Sequence, residues 1–279
     1  MDAVSDLSLS VRNDSVTAFL GLNGAGKTTT IRMLLGMVRP TSGDGIVLGH
    51  RISNQKESVA LRRSVAFVGE RKPLYDYMSG EQIIRFTRSF YSDWDTGEEQ
   101  KLVQQFALPL KRPVRSLSKG MRTKLSLLLA FARKPQLLIL DEPSEGLDPV
   151  GVEQMFDLLV TQRRAGTAIF FSSHQIQEVE RIAEHICILH KGHLVANVPM
   201  DDMRERWQQI DLLFDKPPHC EEYQMHGVET VRAIGSGVRV ITSSGSEAVI
   251  GRAREKKATS IRVGPVQLRN LFLEMVREA

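Results

Sequence analysis

Gly21-Leu22-Asn23-Gly24-Ala25-Gly26-Lys27-Thr28, followed by Thr29 and Thr30, constrains the fold of this 279-residue chain more than any other stretch. The spacing is G-x-x-x-x-G-K-[ST], that of a phosphate-binding P-loop, and the flanks are those such a loop requires. Before it, Ser15-Val16-Thr17-Ala18-Phe19-Leu20 is short, apolar and partly β-branched, so it reads as a buried strand. After it, Ile31, Leu34 and Leu35 recur at helical spacing and Gly36 supplies a stop. Gly21, Gly24 and Gly26 permit backbone conformations that a side chain would obstruct, so several N–H groups can converge on one phosphate chain. The helix that follows adds its positive N-terminal end. Lys27 is expected to reach the β- and γ-phosphates and the Thr28 hydroxyl to ligate Mg²⁺, with Leu22, Asn23, Ala25 and Thr29 completing the cradle.

A second constellation fits the first. Leu137-Leu138-Ile139-Leu140 is a continuous apolar strand that ends in Asp141-Glu142-Pro143. Ligands of open α/β sheets bind at the carboxyl ends of strands, which is where these two carboxylates stand. Asp141 is suited to hold Mg²⁺ through water, and Glu142 to polarise an attacking water as general base.

Strands and helices alternate through most of the chain. Strands are expected at 3–11, 46–48, 64–68, 137–140 and 168–172. Helices are expected within 79–106, broken near Trp94, and over 118–133 and 150–163. The pattern predicts an α/β core. Near residue 200 the character shifts to a small α+β appendage. It has a strand at 210–214, the breaker Lys216-Pro217-Pro218, and a hairpin of 228–233 with 238–242 about Gly235-Ser236-Gly237. A helix at 247–257, a strand at 260–263 and a helix at 268–276 complete it.

Composition narrows the functional classes. The net charge of +4 is mild and predicts no nucleic-acid partner. Cys187 and Cys220 have no CxxC spacing, so neither a disulfide framework nor a zinc site is expected. No apolar run approaches the length that spans a bilayer, so any membrane role must pass through a partner.

Leu117-Ser118-Lys119-Gly120-Met121 then makes the set specific. It matches L-S-G-G-Q at three of five positions, just ahead of a Leu-rich helix and the carboxylate strand. With the P-loop and Asp141-Glu142-Pro143, this chain resembles the ATP-binding cassette of ABC transporters over residues 3 to about 200. The resemblance implies a P-loop NTPase core with a helical subdomain at about 71–133, domains at 1–200 and 201–279, and ATP with Mg²⁺ as cofactors. It implies that Ser118 and Gly120 close over the γ-phosphate held by a second copy, that Asp148 lies in a loop along the seam, and that His174 is the switch histidine. It also implies a separate integral-membrane permease, export as the direction, and a place at the cytoplasmic face of the membrane. The other histidines, among them His50, His185, His190 and His193, are expected at turns or on the surface.

Three departures mark this chain. Glu70 stands where the family has a glutamine that faces the metal, and Lys119 and Met121 depart from the signature. No Tyr, Phe or Trp precedes Phe19, so an adenine-stacking ring is missing from the expected place, and a start upstream of Met1 is one expectation that would supply it. A soluble regulatory or ribosome-associated cassette with weak turnover is the rival reading.

Overall fold

Val16 to Gly21 is buried at all six positions, which a strand achieves only when both of its faces are covered. The computed structural model describes residues 3–216 and 219–277, so Met1 and the Pro217-Pro218 breaker lie outside the described residues. In chain order the first elements are β1 (Val16–Gly21), α1 (Lys27–Leu34), the short β2 (Ile46–Val47) and β3 (His50–Arg51), and α2 (Gln55–Ser64). Next come β4 (Val65–Val68), α3 (Gly80–Arg88), α4 (Thr96–Gln105), α5 (Lys119–Phe131), β5 (Leu137–Asp141), α6 (Pro149–Arg164) and β6 (Ala168–Ser173). Then follow α7 (Ile176–Ile182), β7 (His185–His190), β8 (His193–Pro199) and α8 (Met200–Arg206). The chain closes with β9 (Gln208–Leu213), β10 (Val228–Ile234), β11 (Gly237–Thr242), α9 (Ser246–Glu255), β12 (Ser260–Pro265) and α10 (Leu268–Arg277).

Six strands form the central sheet in the order β4-β5-β6-β1-β7-β8. All neighbours are parallel except β7 and β8. Successive residues of each strand serve opposite cores, as the two-residue period of a strand requires. Leu138, Leu140, Ile169 and Phe171 pack on one side with α5 and α6. Leu137, Ile139, Ala168 and Phe170 pack on the other with Phe19, Ile31 and Leu61. Because β1, β5 and β6 run in the same direction side by side, Gly21, Asp141 and Ser173 end at the same edge of the sheet. The functional groups gather there.

Helix starts carry the chemistry that stops fraying. Ser79 and Gln82 form a capping box on α3, Asp95 caps α4, and Asp148 with Pro149 at the first turn starts α6. Gly36, at φ 61°, stands just beyond the end of α1, where a stop is expected.

The structure corrects several expectations. Residues 5–11 alternate in burial, with Leu7, Leu9 and Val11 against the second core, but the strand expected at 3–11 does not form. Alternation sets which side chains turn inward; a strand also needs a neighbour's backbone, and among the described residues this segment has one backbone bond, from Ser5 N–H to Gly192 O in the turn between β7 and β8. Leu48 leaves the expected strand at 46–48 to enter a turn at φ 49°. His190 is not at the surface: it sits buried within β7. The helices α2, α7 and α8 and the β7–β8 pair were not anticipated, because their short or mixed patterns are completed only by packing.

The C-terminal strands form an antiparallel sheet in the order β10-β11-β9-β12. A two-residue turn at Gly235-Ser236 joins β10 and β11. Ile210, Leu212, Tyr223, Val240 and Val249 form its own core. Packing crosses residue 200, however: Met200, Met203 and Trp207, with Leu268, Leu271 and Phe272 of α10, belong to the core of the central sheet.

Candidate functional site

The loop between β1 and α1 is shaped by its glycines. Gly24 (φ 81°) and Gly26 (φ 110°) hold left-handed backbone, and a Cβ on Gly26 would lie 2.4 Å from the Ala3 carbonyl oxygen. With no side chain at these points, Asn23, Gly24 and Gly26 to Thr29 line an open cleft of about 1200 Å³ at the carboxyl edge of the sheet. Leu22 is exposed and Ala25 is buried in the second core, and neither lines the cleft. Lys27 is buried, and its Nζ donates to Gly21 O at 2.8 Å and to Leu22 O at 3.2 Å. The lysine is therefore folded back over the loop that it would share with a phosphate.

The carboxylates face it. Thr28 Oγ1 donates to Asp141 Oδ2 at 2.8 Å, and Ser172 Oγ donates to Asp141 Oδ1 at 2.6 Å. The same Ser172 hydroxyl accepts from Glu142 N–H at 3.1 Å. Glu142 has left-handed backbone (φ 48°), which turns its side chain across the cleft. Its Oε1 lies 3.3 Å from Lys27 Nζ, and its Oε2 lies 2.8 Å from His174 Nδ1. His174 follows β6, and the adjacent Ser173 donates to buried Glu178 at 2.7 Å while accepting from Gln175 N–H at 2.9 Å. That exchange fixes the turn which presents His174 to the cleft.

Not all of the expected residues meet here. Glu70, exposed after β4, lines the cleft. Ser118 and Gly120 do not line it. Ser118 caps α5 by accepting from Met121 N–H, and Gly120 packs so tightly that a Cβ would stand 2.7 Å from Gly146 O. Asp148 caps α6 by accepting from Gly151 N–H at 2.6 Å and is also outside the cleft lining.

The family model described as ABC transporter matches residues 4–145. This chain belongs to the ABC transporter family. A bacitracin transport ATP-binding protein of Bacillus licheniformis is 33% identical over 207 residues, 73% of this chain and 67% of the relative. An ABC transporter ATP-binding protein of Nostoc sp. is 32% identical over 203 residues, 70% of this chain, and the match spans 59% of that relative's length. Among solved structures, an ATP-binding subunit of an ABC transporter superposes with a TM-score of 0.66 at 31% identity, covering 72% of this chain and 85% of that one.

The donor set of this ABC cassette fits Mg²⁺ together with a triphosphate. Among the described residues there is no group of three or more His, Cys, Asp or Glu side chains placed to hold a metal alone. Thr28 and Asp141 instead offer one hydroxyl and one carboxylate side by side, which suits an ion that keeps water and phosphate ligands. Glu142 Oε1 and Ser144 Oγ are buried at the cleft with no hydrogen-bond partner among the described residues, so the site has acceptor and donor capacity left to satisfy. For a base, the cleft offers little. The aromatic among its described lining residues is Phe156, only 2% exposed and covered by the Arg181 guanidinium 4.8 Å from its centroid.

Sequence reasoning assigned no role to Ser172, Glu178, Glu145 and Lys72. Ser172 was recoverable in part, since it stands directly before the Ser173-His174 strand end. Its pairing with Asp141 depends on the β5–β6 register, which no local pattern states.

Proposed function

We propose that this chain binds ATP with Mg²⁺ in the cleft and hydrolyses it to power transport, in the export direction, through a separate membrane permease. The observation that carries the proposal is the placement of Glu142 between Lys27 and His174. The P-loop amides and Lys27 hold the β- and γ-phosphates, and nucleotide entry draws Lys27 away from Gly21 O and Glu142. Glu142 then takes a proton from the attacking water as its oxygen bonds to the γ-phosphorus and the bond to the β–γ bridging oxygen breaks. His174 holds Glu142 in place and faces the transferred phosphoryl group. Thr28 and Asp141 would hold Mg²⁺, with Glu70 as a further oxygen from the facing loop, and such an ion would supply neutralisation of charge on the phosphates.

Ser118 and Gly120 lie at the start of α5, outside this chain's own cleft. Their role as an anion site is supported if a second copy presents its nucleotide to them, so the proposed active form is a head-to-tail dimer with two ATP molecules at the seam and Asp148 beside them. Tyr77, Tyr75, Phe86 and Phe90 form, in that order, an exposed run of touching rings on the helical subdomain, with successive centroids 5.8, 5.6 and 5.1 Å apart. Such a patch suits a permease loop at the cytoplasmic face of the membrane. No helix among the described residues is long and apolar enough to cross a membrane, so the pore must come from another segment or chain. The test is phosphate release by the full chain with and without a co-purifying membrane protein. Stimulation by that protein is expected, whereas binding to ribosomes without stimulation would favour the rival reading.

A further inference from the structure

α5 opens against its own electrostatics. Its first turn holds Lys119 and Arg122 and no acidic residue, although the positive end of a helix dipole repels cations. The missing negative charge comes from elsewhere in the chain. Lys119 is ion-paired with Glu145, and Arg122 Nη1 lies 2.8 Å from Asp76 Oδ1. Asp76 belongs to the loop that leaves β4 and Glu145 to the loop that leaves β5, and these strands are parallel neighbours. Each loop also holds the signature through its backbone. Arg115 N–H donates to Asp76 O at 3.0 Å, just ahead of Ser118. Thr123 Oγ1 donates to Glu145 O at 3.2 Å, and Gly120 leaves no room for a Cβ against Gly146 O. The stretch that carries Ser118 and Gly120 is thus tied to both loops. The same loops line this chain's own cleft, at Glu70 and at Glu145.

We propose that the Lys119–Glu145 and Arg122–Asp76 pairs are two charge arms that set the signature turn relative to this chain's own cleft. Lys119 and Arg122 are positioning residues in this scheme: they act through Ser118 and Gly120, and neither touches nucleotide. The arms work by placement rather than strength, because all four side chains are partly exposed and exposed ion pairs contribute little to folding. With both carboxylates in place, the first turn of α5 is neutralised by neighbouring loops, and a shift of either loop when the cleft fills is passed to Ser118. Without one arm the turn is drawn toward the loop that still holds it, and Ser118 meets the second copy's nucleotide out of register. The lysine that departs from L-S-G-G-Q thus has a task that a glycine there could not perform.

The inference rests on the reading that a second copy presents its nucleotide to Ser118 and Gly120, so the experiment follows the nucleotide-driven dimer. The full chain is sedimented with Mg²⁺ and a non-hydrolysable ATP analogue over a range of protein concentrations. Affinity for the same analogue is measured by calorimetry where the chain is monomeric. Lys119→Met and Arg122→Met are each expected to raise the concentration of half-dimerisation about threefold, while monomer affinity and the unfolding midpoint stay near wild type. Asp76→Asn is expected to match Arg122→Met and to add nothing to it, and Glu145→Gln to stand in the same relation to Lys119→Met. Wild-type dimerisation in Lys119→Met and Arg122→Met, or losses that add in full within a pair, would overturn the arms while leaving the second-copy reading intact. So would a Glu145→Gln chain that dimerises more readily than wild type, because Lys119 would then be attracting the second copy's phosphate directly. A wild-type chain that stays monomeric with the analogue would overturn the second-copy reading instead, and the arms with it. If Lys119→Met fails to fold, Arg122→Met and the exposed Asp76→Asn decide the matter.

Discussion

The central sheet leaves almost nothing of β1, β5 and β6 exposed, whereas β10 and β12 of the C-terminal sheet show half or more of their residues partly to solvent. Burial on both faces forces parallel strands to present their polar groups only at their ends, so Gly21, Asp141, Ser172 and Ser173 are delivered to one edge. The antiparallel sheet spreads its charges instead, as in the Arg239–Asp211 pair on neighbouring strands β11 and β9. One architecture concentrates chemistry; the other distributes it. That difference can be tested by perturbing each sheet in turn.

The largest effect is expected at the edge of the central sheet. Glu142→Gln should lower phosphate release about 10²–10⁴-fold while nucleotide binding persists, as for loss of a general base. A modest loss, or one matched by Asp211→Asn in the other sheet, would break the proposed division of labour.

Core truncations come next, and the two cysteines report on them. Cys187 in β7 is fully buried, with its thiol pushed up to about 12 by burial, while Cys220 is half-buried beside the second sheet. Phe171→Ala should cost about 3–5 kcal/mol and Leu212→Ala about 2–5 kcal/mol, read from denaturant unfolding. Alkylation during that unfolding should show Leu212→Ala releasing Cys220 at lower denaturant while Cys187 stays protected. Simultaneous release would mean that α10, Met203 and Trp207 tie both sheets into a single cooperative unit.

Ser172→Ala should cost about 1–3 kcal/mol, because it removes a donor from buried Asp141 and an acceptor from Glu142 N–H. Its phosphate-release rate should fall with the fold retained. Glu70→Gln should keep turnover and change its Mg²⁺ dependence, and an unchanged Mg²⁺ titration would remove Glu70 from the metal site. The smallest effect belongs to Asp211. Burial pushes its carboxyl up, but Arg239 and Gln209 outweigh burial and leave it below the usual range. A lowered folded value contributes stability that is present above the unfolded carboxylate value of about 3.9 and lost as pH falls through the folded one. Arg239→Met should therefore lower stability slightly at neutral pH and flatten the acid limb below about pH 4, with the variant and the wild-type chain converging at low pH.

Much of the site was legible because its residues announce themselves in short local patterns. The P-loop needs glycines at fixed offsets, and Asp141-Glu142 needs only to follow an apolar strand. His174 could be placed by its strand end, and Ser118 by the helix that it caps. Residues 3–11 were misread because alternation specifies a face and says nothing about a backbone partner. His190 was misplaced because a lone histidine carries no signal of depth; its burial follows from strands β1 and β8 on either side of β7.

The sequence by itself determined which residues would form the glycine loop at the carboxyl edge of the sheet, since glycine conformations and the lysine after them are set within a few bonds of the chain. Only the tertiary structure decided that Ser172 would bridge Asp141 and Glu142, and that Lys119 would pair with Glu145. Those relations join residues tens of positions apart, and they arise from strand register and helix packing, whose energies are summed over the whole core and written in no single stretch.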